Sequence, residues 1–282
     1  FNREQPQGRL HHAALSRILF LYAKLNPGIR YVQGMNELLA PIYFVFCQEA
    51  QSPAASACVS SESNGESTEL LTSEETLCTH DDGIAGSVAS EMELGSEAAT
   101  AVCASEDLDA AEADAFFCFT NLMAEVRDHF CSKLDHTELG ISSRIEKLEE
   151  LLASKDLELA AMLRRLRVSP TFYGFRWITL LMTQEFDLPD VLRLWDTLLA
   201  DESRFDFLIY FCASMVLEIR NDLMLSNDFA YCVKALQRYD NRVPMHQLLP
   251  RAISLYTEDR PALKRKLAEL PRASDKWKLH VV

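Results

Sequence analysis

The chain has 282 residues, of which 48% are hydrophobic, so it can bury the core of one large domain or of two small ones. No nucleic-acid partner is expected; a net charge of −14 would normally also argue against binding to anionic membranes, but its distribution along the chain says otherwise. The acidity is local, because residues 48–114 hold 16 acidic side chains while no Lys or Arg occurs between Arg30 and Arg127.

Apolar residues recur at steps of three and four near the start of the chain, as on one face of a helix. They are Leu15, Ile18, Leu19, Tyr22 and Leu25. The sequence Asn-Pro-Gly at 26–28 is expected to end this helix. A second helix is predicted to begin near Glu37, with Asn36 as its N-terminal cap and Pro41 in or near its first turn. Gln33 therefore lies in the connection between two helices.

Residues 48–111 are rich in Ser, Ala, Glu and Thr, contain no aromatic residue, and show no sustained helical or strand period. Such a segment cannot bury enough apolar surface to offset the entropy that it would lose on ordering. We therefore predict a disordered acidic insert over 48–111. It separates a first helical part, 1–47, from a second helical part, 112–256.

Helical periodicity resumes directly after the insert. Its apolar residues are Phe116, Phe119, Met123, Val126, Phe130 and Leu134. Shorter helices are predicted over 143–152, opened by the capping-box sequence Ser-Arg-Ile-Glu, and over 156–168. Pro170, Pro189 and Pro244 are expected to bound further helices. Because the alternation typical of strands is almost absent, the predicted fold class is all-α, a multi-helix domain of stacked helices.

The last segment, 257–282, is basic and is expected to be a C-terminal helix or tail. Two roles are open: contact with an acidic partner or membrane surface, and a solvated terminal helix followed by a loose tail. The second is favoured, because acidic residues interrupt its basic ones.

The cysteines and the apolar runs indicate where the protein resides. Eight cysteines form no C-x-x-C pair and no zinc-ligand spacing, so reduced thiols and no metal are expected. The chain opens on Phe1 without a charged-then-apolar leader, and its longest apolar runs, 38–47 and 207–217, are too short to span a bilayer. A cytoplasmic location is therefore expected. Four cysteines are predicted to be small core residues: Cys47, Cys118, Cys212 and Cys232.

Residues that often carry chemistry give little support for an enzyme site. His11, His12 and His129 have no serine, cysteine or carboxylate partner at a recognisable catalytic spacing. The nine glycines form neither G-x-x-x-x-G-K-[ST] nor G-x-G-x-x-G. We therefore expect no hydrolase site and no nucleotide bound by the chain itself.

The stretch 30–37 places a side-chain amide beside a glycine at the break between two apolar helices. It closely resembles the Y-x-Q-G-M-N signature of TBC domains, which stimulate GTP hydrolysis by Rab-type small GTPases. Later segments resemble further landmarks of that family in the same order, and the resemblance extends over about residues 10–256. Residues 22–28 and 204–207 are similar to one member of the family in particular. The later landmarks are Phe175-Arg176-Trp177, Gln184-Glu185-Phe186 and Leu194-Trp195-Asp196.

The resemblance implies an activator of a partner's GTP hydrolysis, not an enzyme in its own right. Gln33 is expected to be the catalytic glutamine, supplied in trans to position the attacking water. Tyr31, Gly34 and Asn36 are expected to position the loop or to contact the GTPase, and Arg176 is expected either to reach the GTPase or to pair internally. GTP and Mg²⁺ are held by the partner, so the chain needs no cofactor of its own.

The implied setting is vesicle and membrane trafficking, with at most peripheral contact with endomembranes through the Rab-type GTPase. Trp177, Trp195 and Asp196 are assigned to the scaffold, since such residues on apolar helices usually pack in the core or make buried hydrogen bonds.

The family also uses an arginine from an upstream I-x-x-D-x-x-R motif, which neutralises charge on the transferring phosphoryl group. None of the arginines before Gln33 stands in that context, and they are Arg3, Arg9, Arg17 and Arg30. The alternative is therefore a catalytically weak or inactive Rab-binding scaffold module.

Overall fold

The computed structural model describes residues 4–50, 89–130, 140–201, 205–239 and 242–269. Every regular element in these ranges is a helix, so the predicted all-α fold is confirmed for the part of the chain that they cover. A single 3₁₀ turn, Arg127–Phe130, follows the third α-helix. In chain order the α-helices are α1 (Pro6–Leu25), α2 (Met35–Ala50), α3 (Ala89–Val126), α4 (Ile141–Lys155), α5 (Leu157–Arg165), α6 (Thr171–Thr179), α7 (Leu188–Ala200), α8 (Asp206–Glu218), α9 (Arg220–Ser226), α10 (Phe229–Gln237) and α11 (Met245–Glu269).

The chain forms two compact units. The first comprises Phe1–Tyr22 and Ile42–Asn121, and the second comprises Ala23–Pro41 and Leu122–Val282. The predicted division into 1–47, 48–111, 112–256 and 257–282 stays a prediction.

The core of the first unit contains apolar residues of α1, α2 and α3. Tyr22 and Phe119 meet edge to face, with their ring centroids 5.1 Å apart. His11 is buried, with its Nδ1 3.1 Å from the hydroxyl of Tyr43, and burial lowers the pKa of His11. His11 is thus a core histidine.

Helix α8 lies at the centre of the second unit. All of its residues from Phe207 to Leu217 except Tyr210 are buried. A helix that is apolar on every side is stable only when other elements surround it, and α4, α6, α9 and α11 all pack against α8. The apolar run at 207–217 is therefore a core helix.

Some helix boundaries differ from the prediction. Helix α2 begins at Met35, so Asn36 lies in its first turn and is not its cap. Helix α4 begins at Ile141, so Ser143 lies inside it and caps nothing; Gly140 stands at the cap position without a side-chain hydrogen bond. Burial of Met35 and Ile141 accounts for both early starts, because each apolar side chain gains a place in the core once the helix includes it.

The predicted insert is helical at both of its ends. Helix α2 continues to Ala50 and α3 begins at Ala89, so residues 48–50 and 89–111 belong to helices, whereas 51–88 lie outside the described residues. Residues 89–111 are rich in Ala and Glu, which have high intrinsic helix propensity. The prediction relied on apolar periodicity, which such a sequence lacks.

Three of the four predicted core cysteines, Cys47, Cys212 and Cys232, are buried free thiols, but Cys118 is exposed. It follows the outward-facing Phe117 on α3 and precedes Phe119, which takes the core position. Helix α11 runs through the start of the predicted basic segment to Glu269, and residues 270–282 lie outside the described part. Among the described helices, none is long and apolar enough to span a membrane.

Candidate functional site

The turn between α1 and α2 carries the predicted catalytic glutamine. The turn begins with hydrogen bonds from the backbone N–H groups of Ile29 and Arg30 to the carbonyl oxygen of Asn26, at 3.1 and 2.9 Å. Arg30 then adopts a left-handed conformation, with φ of 62°. The turn ends where α2 starts: the N–H of Met35 donates to Val32 O at 3.2 Å, and the N–H of Glu37 donates to Gly34 O at 3.0 Å.

Asn36 ties this turn to the first turn of α2. Its Oδ1 accepts a hydrogen bond from the Tyr31 hydroxyl at 3.1 Å and from the Gly34 N–H at 3.3 Å. Its Nδ2 donates to Oε1 of Glu37 at 3.0 Å. One amide side chain therefore holds the residues on both sides of Gln33. The predicted roles of Tyr31, Gly34 and Asn36 in loop positioning are consistent with these contacts, and their roles toward a GTPase stay predictions.

Gln33 itself is exposed, and its side chain makes no hydrogen bond with any described residue. The amide of glutamine can donate from nitrogen and accept at oxygen at the same time. Because its backbone neighbours are fixed and its side chain has no hydrogen bond in the described part of the chain, Gln33 presents an amide that is available to a partner.

Gly34 is the point at which the turn contacts the second unit's interior. Its φ is 107°, a conformation that side chains with a Cβ rarely adopt. A Cβ at Gly34 would lie 2.7 Å from Cδ2 of Leu180 and 3.6 Å from Cε1 of Phe130. The absence of a side chain thus lets the turn rest directly on Leu180.

The segment after α6 has two consecutive left-handed residues. Leu181 has φ of 48° and Met182 has φ of 67°, and both side chains are buried. Left-handed backbone at residues other than glycine costs on the order of 1–3 kcal/mol each and persists only where the surroundings impose it. Here the indole Nε1 of Trp195 donates to Leu181 O at 2.9 Å, and Met182 donates its N–H to Trp177 O at 3.1 Å. Sequence reasoning missed this turn, because no glycine marks it.

The two scaffold tryptophans are buried as predicted, but they differ in their hydrogen bonds. The indole N–H of Trp195 donates a hydrogen bond to Leu181 O, whereas Nε1 of Trp177 has no partner among the described residues. Trp177 instead packs against Tyr173, with ring centroids 4.8 Å apart, and against Tyr239 at 6.1 Å. Asp196 differs from the prediction, because it is exposed on the outer face of α7.

Arg176 pairs within the chain. Its Nε and Nη2 donate to the two carboxylate oxygens of Glu185 at 2.6 and 3.0 Å, and Nη2 also donates to Gln237 O at 2.5 Å. The Glu185 side chain is 3% exposed, whereas that of Arg176 is 41% exposed. The pair joins α6 to the end of the left-handed turn and to α10. This geometry favours a positioning role for Arg176, and contact of its exposed part with a GTPase stays a prediction.

We expect Arg176→Met to lower the free energy of unfolding by about 1–3 kcal/mol, because it leaves the buried Glu185 carboxylate without its bidentate partner. Arg164→Met is the matched control. Arg164 contacts Glu149 at 2.8 Å, but both side chains are well exposed, at 52% and 40%. Its loss should therefore cost less than about 1 kcal/mol. Urea denaturation of both variants measures the difference, and equal losses would contradict the assignment.

His129 is followed by Phe130, whose ring lies near Gly34 in the Gln33 turn. It is 4% exposed, and its Nδ1 has no partner among the described residues. Burial, with a smaller effect from the charge of Arg144, lowers the pKa of His129 to about 3. The ring is therefore neutral at physiological pH and only weakly basic, and His129 packs in the interior beside Phe130.

This depressed pKa predicts a dependence of stability on pH. Between the unfolded pKa of about 6.5 and the folded pKa, only the unfolded chain binds the proton, so stability falls as the pH falls. From pH 7 to pH 5 the wild-type chain should lose on the order of 2 kcal/mol more than His129→Gln does. Urea unfolding at both pH values tests this, and parallel profiles for the two proteins would show that burial of His129 does not disfavour its charged form.

The arginines before Gln33 have separate surroundings. In the first unit, Nε and Nη2 of Arg17 donate to the two carboxylate oxygens of Glu112 at 2.8 and 2.5 Å, so its guanidinium is engaged. Arg9 is exposed on α1, Arg30 is exposed in the turn, and Arg3 lies outside the described residues. Within the ranges that the structure covers, no cluster of His, Cys, Asp or Glu could hold a metal ion.

Comparison with known proteins finds similar domains. A family model described as Rab-GTPase-TBC domain matches residues 2–67 and 101–224. TBC1 domain family member 13 of Homo sapiens is 40% identical over 235 residues, which cover 83% of this chain and 45% of that protein. TBC1 domain family member 5 of Homo sapiens is 30% identical over 264 residues, which cover 86% of this chain and 28% of that protein. The chain thus spans less than half the length of either relative.

A solved structure has a similar fold. The crystal structure of the Ypt/Rab-GAP domain of Gyp1p matches with a TM-score of 0.60 and 25% sequence identity, over 86% of this chain and 66% of that chain.

Proposed function

Because this chain belongs to the Rab-GTPase-TBC domain family, we propose that it binds a Rab-type small GTPase and accelerates GTP hydrolysis by that partner. The chain is the activator, and the GTPase is the enzyme. GTP and Mg²⁺ belong to the partner, and Gln33 is supplied to the partner's nucleotide site in trans. The setting is vesicle trafficking in the cytoplasm, with the GTPase as the link to endomembranes.

The observation that carries this proposal is the exposed amide of Gln33, which is unpaired among the described residues and stands on a turn held from both sides. Phosphoryl transfer is accelerated mainly by positioning and by electrostatic stabilisation. An amide can accept a hydrogen bond from the attacking water and donate one to a phosphate oxygen, a combination that a carboxylate or an ammonium group lacks. Since Asn36 already fixes the backbone around Gln33, the freedom lost when the amide enters a partner's site is that of the Gln33 side chain and not of the turn.

A non-catalytic Rab-binding module is the second candidate, and the surroundings of one arginine favour it. Arg17, which precedes Gln33 on α1, is engaged with Glu112, and neither it, Arg9 nor Arg30 stands in an I-x-x-D-x-x-R context. An arginine supplied in trans is worth roughly 10³ to 10⁵ in the rate of GTP hydrolysis. If no arginine of this protein makes that contribution, the same surface would bind the GTPase and stimulate it weakly or not at all.

Measurements on a panel of Rab-type GTPases distinguish the two functions. Each GTPase is loaded with GTP, and binding of the chain and single-turnover hydrolysis are measured separately. Stimulation of at least one member supports the activator. Binding that is not accompanied by stimulation supports the scaffold module, and the absence of both would contradict a Rab-directed function.

A further inference from the structure

The turn that carries Gln33 rests on a side chain whose own backbone is held in place by a tryptophan. Gly34 lies against Leu180, because even a single added carbon at Gly34 would come within 2.7 Å of Cδ2 of Leu180. Leu180 is only 8% exposed, so its side chain has little room in which to move away. The position of Leu180 therefore determines where the Gln33 turn can lie.

Leu180 is held by the left-handed turn that it begins. Its carbonyl oxygen accepts from the Thr183 N–H at 3.1 Å and from the Thr183 hydroxyl at 2.9 Å. The next two residues, Leu181 and Met182, have positive φ, a conformation that two such residues hold only when other groups enforce it. A change in those groups is expected to let this turn relax and carry Leu180 with it.

Trp195 is the side chain that bonds to this turn from another helix. Its ring is 6% exposed and its Nε1 donates to Leu181 O at 2.9 Å. From this chain of contacts we infer that Trp195 is a positioning residue for Gln33, acting through Leu181, Leu180 and Gly34. The inference rests on the proposed function for its effect on catalysis, but the structural link from Trp195 to the Gln33 turn stands on the contacts alone.

The second buried tryptophan provides a matched control. Trp195→Phe keeps an aromatic ring and removes the hydrogen bond to Leu181. Trp177→Phe makes the same change at a ring that is 0% exposed but whose N–H has no partner among the described residues. If Trp195 acts through its hydrogen bond, only the first variant should disturb the Gln33 turn.

Amide hydrogen exchange at the start of α2 measures the stability of the Gln33 turn in the absence of a GTPase. The amides of Met35 and Glu37 bond to Val32 O and Gly34 O, and the amide of Cys232 in α10 bonds to Asp228 O. We expect Trp195→Phe to speed exchange at Met35 and Glu37 by roughly tenfold with little change at Cys232. Trp177→Phe should leave the exchange rates of Met35 and Glu37, relative to that of Cys232, as they are in the wild type. Unchanged exchange at Met35 and Glu37, or equal acceleration at Cys232, would overturn the inference.

Single-turnover hydrolysis then measures the catalytic consequence on the GTPase that the wild-type chain stimulates most. Trp195→Phe should lower the rate of GTP hydrolysis at saturating activator by about tenfold, since small displacements of a catalytic group lower the rate strongly. The activator concentration that gives half of the maximal rate should be unchanged. Leu180→Ala should lower the maximal rate by a similar factor. The variant that carries both substitutions should be no slower than either single variant, because both changes act on one contact. A normal maximal rate for Trp195→Phe would overturn the catalytic part.

The two failures are distinguishable. If the wild-type chain stimulates no GTPase, the proposed function fails, and hydrogen exchange still decides whether Trp195 positions the turn. If the wild-type chain stimulates hydrolysis and Gln33→Ala does not, a normal Trp195→Phe contradicts the inference alone.

Discussion

Replacing Gln33 with alanine should reduce stimulated GTP hydrolysis by about 10²- to 10³-fold, the range expected when one group that positions or stabilises the transition state is lost. Gln33 is exposed and makes no hydrogen bond with any described residue, so its removal should leave the free energy of unfolding within about 0.5 kcal/mol of the wild type. A large loss of rate in a stable protein identifies a group that acts in the partner's site.

Single-turnover hydrolysis with the activator in excess measures this effect. Gln247→Ala is the control, because Gln247 is an exposed glutamine in α11 and the substitution is the same. It should retain the wild-type rate. Gln33→Glu adds a chemical test, because a carboxylate keeps the size of the side chain but cannot donate a hydrogen bond. A Gln33→Ala protein as active as the Gln247→Ala protein would remove Gln33 from the mechanism.

Replacing Gly34 with alanine should damage both stability and activity. The φ of 107° is strained for alanine, and the added carbon meets Cδ2 of Leu180 at 2.7 Å. We expect a loss of about 1–3 kcal/mol in the free energy of unfolding, because the turn must distort or Leu180 must move. Displacement of Gln33 by about 1 Å should also lower the stimulated rate by roughly 10²-fold.

Gly28 provides the control for Gly34. It stands in the same connection, and a Cβ built there meets nothing within 4 Å. Gly28→Ala should therefore change stability by less than about 0.5 kcal/mol and leave hydrolysis unchanged. Thermal or urea denaturation, together with the hydrolysis assay, compares the two variants. If both glycines tolerate alanine equally, the contact between Gly34 and Leu180 has no consequence for the turn.

The parts of the fold that the sequence predicted are those with a strong apolar period. The stripe of α1 and the stop at 26–28 placed Gln33 in a connection, and the structure has the turn there. Helix α3 extends further toward its N-terminus than predicted, because helix propensity needs no apolar face to act. Helix α4 begins before Ser143, because burying the side chain of Ile141 stabilises the longer helix more than a cap at Ser143 would stabilise the shorter one.

The parts of the candidate site that could not be predicted depend on contacts between residues far apart in the sequence. Nothing near Leu180 indicates that it lies under Gly34, and the positive φ of Leu181 and Met182 occurs at residues that give no local signal for it. Internal pairing of Arg176 was one of two open roles, and the contact depends on the position of Glu185 against α6, which the local sequence does not reveal. Tertiary contacts, not local propensity, set these features.

The most direct test of the central claim is the structure of this chain bound to a Rab-type GTPase loaded with GDP and aluminium fluoride, which mimics the transferring phosphoryl group. We predict that the side-chain amide of Gln33 lies within about 3 Å of the fluoride or of the attacking water. A complex in which another residue occupies that position, while Gln33 remains in solvent away from the nucleotide, would contradict the account.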